Sequence, residues 1–164
     1  MKNLLVQFVI IVSFFSCNQS SKHSSVFNNE PDFKNSYIKI KASSGNYITL
    51  INDTINGINN KLISTTTDSA LADKFYIEFL PEGKVTFKTI TNFYVCADRY
   101  KNNNLIADRT SANEWEKFVL IKIEGNKFNI RSSDGKFICE DRDLGNVIIA
   151  NRDNAAEWET FIFE

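Results

Sequence analysis

Short apolar alternations recur along this chain from Tyr37 to its end. Tyr37-Ile-Lys-Ile-Lys alternates, breaks at Ser43-Ser44-Gly45-Asn46 and resumes at Tyr47-Ile-Thr-Leu. Val85-Thr-Phe-Lys and Tyr94-Val-Cys-Ala repeat the scheme around Thr91-Asn92, and Phe128-Asn-Ile-Arg and Phe137-Ile-Cys repeat it around Ser132 to Gly135. Period-two alternation on both sides of Asn, Gly, Ser or Asp predicts β-hairpins. A third apolar segment follows each pair (Leu62-Ile63, Leu105-Ile106, Val147-Ile148-Ile149), and a fourth closes it (Phe75 to Phe79, Phe118 to Ile121, Phe161 to Phe163). No long stretch has a helical period. Only Asp68 to Asp73 and Ser111 to Glu116 would fit one helical turn.

The pattern repeats at a fixed offset. Phe75, Phe118 and Phe161 are 43 residues apart, and so are Trp115 and Trp158, Cys96 and Cys139, Asp98 and Asp141, Arg99 and Arg142, and Arg109 and Arg152. The first copy is longer by four residues, which fall in the Asn/Gly-rich stretch Asn52 to Lys61, where a loop absorbs an insertion at little cost. Four short strands, three times, predict an all-β fold: a β-trefoil of three four-stranded repeats of about 43 residues with pseudo-threefold symmetry. No unit can bury its own apolar face, so the three must close together.

The N-terminus reads as an address. Met1-Lys2-Asn3 precedes an apolar run from Leu4 to Phe15, too short to span a bilayer comfortably and of the size of a signal-peptide core. Phe14-Phe15-Ser16-Cys17 resembles a bacterial lipobox, which implies cleavage before Cys17 and lipidation of that residue. The expected organisation is therefore a signal peptide over 1–16, a flexible Ser/Asn-rich tether over 17–36 and a folded domain over 37–164. The expected location is the cell envelope, lipid-anchored through Cys17, with the outer membrane favoured.

Composition narrows the chemistry. The chain has 19 basic and 20 acidic residues, so no basic field exists to hold nucleic acid. Its single histidine, His23, lies in the tether, so the repeats contain no histidine base, triad or metal ligand. Two prolines and six glycines are few for so many turns, and 20 asparagines take over that role. No phosphate-binding or dinucleotide fingerprint is present, and no cofactor or metal is expected. Carboxylate-only chemistry such as glycoside hydrolysis stays open in principle, but no pair stands out by spacing among Glu114, Glu116, Glu140 and Asp141.

The segments Asn92 to Arg99 with Ala107 to Phe118, and Asp134 to Arg142 with Ala150 to Phe161, resemble fascin-like β-trefoil domains over residues 37–164. The resemblance implies the trefoil fold. For eukaryotic members it implies actin bundling; for bacterial ones it implies modules on polysaccharide-degrading enzymes and surface lipoproteins that bind carbohydrate. An exported lipoprotein would not meet actin filaments of its own cell, so the carbohydrate expectation is carried over.

Candidate binding residues follow the second and third strands of repeats two and three: Asp98, Arg99, Tyr100, Asp108 and Arg109, then Asp141, Arg142, Asn151 and Arg152. A guanidinium fork beside a carboxylate can hold vicinal hydroxyls or an acidic sugar, and a nearby ring can stack. The same pairs would equally serve to pin loops within a repeat. Trp158, like Trp115, offers either a sugar platform or a packing residue. Repeat one has Ile51-Asn52 and Thr65-Thr66 at the matching places and lacks these pairs. Cys96 and Cys139 are either free buried thiols or a bridge. The expected function is a monomeric, non-catalytic binding module for a glycan or polysaccharide. A protein-interaction module (adhesin-like or inhibitor) is the alternative, with actin bundling behind it.

Overall fold

The computed structural model describes residues 33–164. The expected signal segment, Cys17, His23 and most of the tether lie outside the described residues. Repeat one contains β1 (Tyr37–Ile38), β2 (Ile40–Ala42), β3 (Tyr47–Asp53), β4 (Ile58–Thr66) and β5 (Phe75–Phe79). Repeat two contains β6 (Val85–Thr89), β7 (Tyr94–Asp98), β8 (Asn104–Arg109) and β9 (Val119–Glu124). Repeat three contains β10 (Lys127–Arg131), β11 (Phe137–Asp141), β12 (Val147–Arg152) and β13 (Thr160–Phe163). The twelve strands expected are thirteen, because the first changes partner halfway. Tyr37 and Ile38 pair with β5, and Ile40 to Ala42 pair with β13. Lys39 between them exchanges backbone hydrogen bonds with Glu164, at 2.7 and 3.0 Å.

This is a β-trefoil. β1 and β2 pair with β5 and β13, β5 pairs with β6, β6 bridges to Phe118 at the head of β9, β9 pairs with β10, and β10 pairs with β13. That ring closes a barrel and leaves no free edge. The remaining strands form three hairpins, β3–β4, β7–β8 and β11–β12, joined as a triangle through Lys61↔Ile106, Asn104↔Ile149 and Ile63↔Val147. They cap one end of the barrel.

The core repeats with the sequence. Phe75, Phe118 and Phe161 are each fully buried, and around them stand the triplets Ile40/Phe87/Ile130, Ile48/Val95/Ile138 and Leu62/Leu105/Ile148. Burying each such side chain contributes about 1.5–3 kcal/mol. The other barrel end is filled by Phe33, whose ring meets Phe128 at 5.7 Å and Phe163 at 5.4 Å edge-on. The packed body thus takes in Phe33, four positions ahead of the start expected at Tyr37, because an aromatic side chain is needed where the barrel would otherwise open to water.

Asparagine does the work that glycine does elsewhere. The six non-glycine residues at positive φ among the described residues are all Asn: Asn35, Asn60, Asn92, Asn102, Asn103 and Asn146. Asn92 (φ 68°) stands in repeat two where Gly45 (89°) and Gly135 (84°) make the first turn of repeats one and three. Asn60, Asn103 and Asn146 are likewise equivalent. Short polar side chains tolerate this region better than other L-residues. One 3₁₀ turn forms at Ser69–Leu71, as expected for repeat one. Ser111 to Glu116 makes only an irregular turn, and the 3₁₀ turns of repeats two and three lie at Arg99–Lys101, Arg142–Leu144 and Glu157–Glu159.

Candidate functional site

The β7–β8 and β11–β12 hairpins carry the Asp, Arg, Tyr and Asn candidates, and Trp158 lies in the 3₁₀ turn Glu157–Glu159 that follows β12. Asp98 ends β7 and Asp141 ends β11, both nearly buried, and each caps a 3₁₀ turn: Asp98 accepts from the Tyr100 amide at 2.8 Å, Asp141 from the Leu144 amide at 3.1 Å. Neither pairs with the arginine next to it in sequence. Asp98 accepts instead from Arg109 Nη2 at 2.7 Å, and Asp141 from Arg152 Nη2 at 3.1 Å, across the hairpin.

A second buried carboxylate completes each arrangement. Glu116 and Glu159 face the Nε side of Arg109 and Arg152 at 3.8 Å, and each accepts a backbone N–H at 2.7 Å, from Asn113 and Ala156. Arg109 also donates to Asp108 at 2.7 Å. Asp98/Arg109/Glu116 and Asp141/Arg152/Glu159 are therefore two copies of one brace, tying the end of the second strand to the segment before the fourth. Repeat one has Ile51, Thr66 and Asp73 in these places, and there Asp73 instead accepts the Leu50 amide at 2.7 Å. The glutamates were detectable in the sequence, since they recur at the same offset as the Asp and Arg, but only Glu116 was weighed there, as one of an unassigned carboxylate pair.

The cysteines lie within the cap, Cys96 on β7 and Cys139 on β11. Cys96 and Cys139 are fully buried, free, and in separate apolar clusters, Cys96 with Ile58 and Ile106, Cys139 with Val147 and Ile149. Cys139 donates to Asn151 at 3.4 Å, and Cys96 faces Asp108 at 4.0 Å. Thr49 and Thr65 form the equivalent pair in repeat one, 3.0 Å apart. Burial pushes the Cys96 thiol up to about 12 and the Cys139 thiol to about 11, so both stay protonated. Trp115 and Trp158 are half-buried against these same two clusters.

Over each Trp lies a guanidinium, 5.4 Å from the ring centroid: Arg99 on Trp115 and Arg142 on Trp158. The two arginines reach toward the first turn of the next repeat but meet different surroundings. Arg142 is committed. It donates to Glu140 at 3.2 Å, to Ser43 at 2.7 Å and to Glu157 at 3.4 Å. Glu140 is fully buried and also accepts from the hydroxyls of Ser44 and Ser64. Arg99 makes no side-chain hydrogen bond among the described residues. Among the described residues its one ion-pair partner is Asp134, 3.9 Å away.

Asp134 was not among the candidates. It belongs to the first turn of repeat three, where Ser132 donates to its Oδ1 at 2.6 Å and the Lys136 amide at 3.3 Å, leaving Oδ2 toward Arg99. Burial alone would raise its pKa; the Ser132 hydroxyl, the Lys136 amide and the Arg99 charge outweigh that and hold it below the usual carboxylate range. Beside this pair Tyr100 is 86% exposed, with its ring 5.4 Å from Trp115 at an interplanar angle of 60°. Repeat three has Asp143 in place of Tyr100. The structure thus brings Arg99, Tyr100, Trp115 and Asp134 together at the junction of repeats two and three, and draws Asp98, Arg109, Asp141 and Arg152 into the braces.

A family model described as a domain of unknown function (DUF7910) matches residues 77–164, the end of the last strand of repeat one and all of repeats two and three. The chain belongs to this family. No curated protein matches the chain. Among solved structures, the designed threefold-symmetric protein ThreeFoil is similar with a TM-score of 0.63 at 12% identity, over 77% of this chain and 96% of its own. A Polyporus squamosus lectin, solved bound to a human-type influenza-binding epitope, gives 0.64 at 14% identity over 77% of this chain and 48% of the lectin. An exo-β-1,3-galactanase from Clostridium thermocellum gives 0.62 at 14% identity over 77% of this chain and 29% of the enzyme. At these identities the likeness is one of fold. The DUF7910 match contains both braces and the whole junction between repeats two and three.

Proposed function

We propose that this chain is a non-catalytic glycan-binding module of the fascin-like trefoil kind, exported and held in the cell envelope by lipid on Cys17. The observation that carries the binding reading is the open ring of Tyr100, beside a guanidinium with unused donors and a carboxylate with an unused oxygen. An exposed aromatic face complements the C–H face of a pyranose, and convergent donors and acceptors fix its hydroxyls. The lectin neighbour supports the reading at the level of fold alone. The large exposed apolar side chains include Ile51 and Ile55 on the β3–β4 hairpin, Val119 and Ile123 on β9, and Leu71, Ile90 and Leu144 singly elsewhere. The topology is compatible with a tether. The chain enters at Phe33, at the barrel end opposite the hairpin cap, so an anchored N-terminus would present Tyr100 away from the membrane.

The test is a glycan array probed with the full chain. Binding to one class of saccharide is the expected result; silence across plant, algal and host glycans would overturn the reading. Anchoring is tested separately with Cys17→Ser, which should release the chain from membranes; a variant that stays membrane-bound refutes lipidation at that residue.

A further inference from the structure

Three junctions between successive repeats are equivalent by pseudo-symmetry, and they differ in what they leave unused. Between repeats three and one, Arg142 spends its donors on Glu140, Ser43 and Glu157, and the position of Tyr100 holds Asp143. Between repeats one and two, Asn52 stands for the arginine, Ala72 for the Trp and Thr91 for the acidic turn residue. Only the junction of repeats two and three joins an aromatic pair, an arginine without side-chain hydrogen bonds and an ionised turn carboxylate.

We infer that this chain has one saccharide site, at the junction of repeats two and three, and that it selects a neutral sugar through a vicinal diol held between Arg99 and Asp134. The inference rests on the glycan-binding reading above. Arg99 Nε and Asp134 Oδ2 lie 3.9 Å apart, too far for a direct hydrogen bond and wide enough for hydroxyls to join both. One hydroxyl donates to Asp134 Oδ2 while it and its neighbour accept from the guanidinium, which lies over the Trp115 ring. Tyr100, open to solvent, packs on the sugar ring. A uronate or sulfate group brought to Arg99 would lie beside Asp134, where a like charge at about 4 Å weakens binding by about tenfold or more. The acidic-sugar alternative is therefore disfavoured by a residue of the neighbouring repeat.

The experiment is a titration of the full chain, in detergent micelles, with galactobiose, mannobiose, cellobiose and maltose as neutral probes and digalacturonate as the anionic one. At least one neutral disaccharide should bind with one site per chain, more tightly than digalacturonate. Asp134→Asn keeps the Oδ1 contacts of its turn and should weaken that binding about tenfold or more, as should Tyr100→Ala. Arg99→Lys keeps the charge, loses the planar fork and should weaken it several-fold. Asp143→Ala, at the equivalent place in repeat three, should change nothing. Thermal unfolding of each variant separates lost binding from lost fold. Preference for digalacturonate, two or three sites per chain, or wild-type binding by folded Asp134→Asn would overturn the inference and leave glycan binding standing. Binding of none of these probes, together with a silent array, would remove both.

Discussion

Arg109 offers the sharpest test of the braces. Its side chain is about one-third exposed, but two of its three carboxylate partners are not: the Asp98 side chain is 6% exposed and that of Glu116 3%. Truncation by Arg109→Ala leaves both acids in the cap with one backbone N–H each, from Tyr100 and Asn113. Removing one member of a fully buried ion pair costs about 3–5 kcal/mol. Water can reach the vacated space here, and the exposed Asp108 contact contributes at most about 1 kcal/mol. The expected loss is therefore about 2–3 kcal/mol. For a domain of this size that lowers Tm by roughly 6–12 °C, at a few degrees per kcal/mol. Arg152→Ala should cost less, because its contact to Asp141 is longer (3.1 against 2.7 Å) and Asn151 replaces the third carboxylate.

The assay is urea unfolding followed by tryptophan fluorescence, since Trp115 packs beside this brace. If the cost comes from stranded charge, Arg109→Met combined with Asp98→Asn and Glu116→Gln should recover at least half of it. A loss under about 0.5 kcal/mol in Arg109→Ala would show an ordinary solvent-screened surface pair, and the brace argument would fail. Methionine keeps an apolar stem, so absent recovery in the triple variant would put the cost in the guanidinium's own hydrogen bonds instead.

Further expectations follow from the same geometry. In a chain carrying Cys17→Ser, Cys96 and Cys139 should react with a thiol reagent at pH 8 only as fast as the protein unfolds; their raised folded pKa values, about 12 and 11, also mean that the stability they contribute is full below the ordinary thiol range and is lost as pH rises through it toward 11–12. Asp53 is held at about 2 by the Asn56 side chain, Lys61 and the Asn56 amide, against an ordinary 3.8, so its contribution is present above about pH 4 and disappears as pH falls toward 2; acid titration of Asp53→Asn should show a flatter limb there. Asn92→Ala should cost about 1 kcal/mol at φ 68°, whereas Asn92→Gly should stay within about 0.5 kcal/mol of wild type, both read by denaturant midpoints.

Much of the fold was legible because its repeats share their core. Phe75, Phe118 and Phe161 recur at one offset because each fills the same slot in a threefold barrel, and alternation gave the hairpins between them. Lys39 was not legible: the change of strand partner at that point depends on Glu164, distant in sequence. Phe33 was missed because a lone aromatic in a polar stretch carries no periodicity. For the site, proximity in sequence misled. Asp98 and Arg99 are neighbours in the chain, yet Asp98 pairs with Arg109 across the hairpin, and Arg99 turns to Asp134 in another repeat. Strand-end residues point where the hairpin twist sends them, and period arithmetic alone does not contain that direction.

The repeat offset does contain the reason one arginine is free and its copy is not. Arg99 and Arg142 both lie over a Trp, but the nearest carboxylate reaches them from opposite sides. In repeat three it is Glu140, two residues earlier on the same strand and fully buried, with Ser44 and Ser64 of repeat one closing over it. In repeat two that position is Ala97, and the partners from the next repeat are Asp134 and Ala150 instead of Ser44 and Ser64. Moving the acid from the strand to the facing turn brings it to the surface and stretches its separation from the guanidinium from 3.2 to 3.9 Å. A buried acid must be fully satisfied within the protein, so it draws every nearby donor to itself. A turn acid shares its charge with water and leaves room for another partner. An arginine over a tryptophan thus makes a rivet at one junction and an open clamp at the other, and the difference follows the strand residue two positions before it, Glu140 or Ala97.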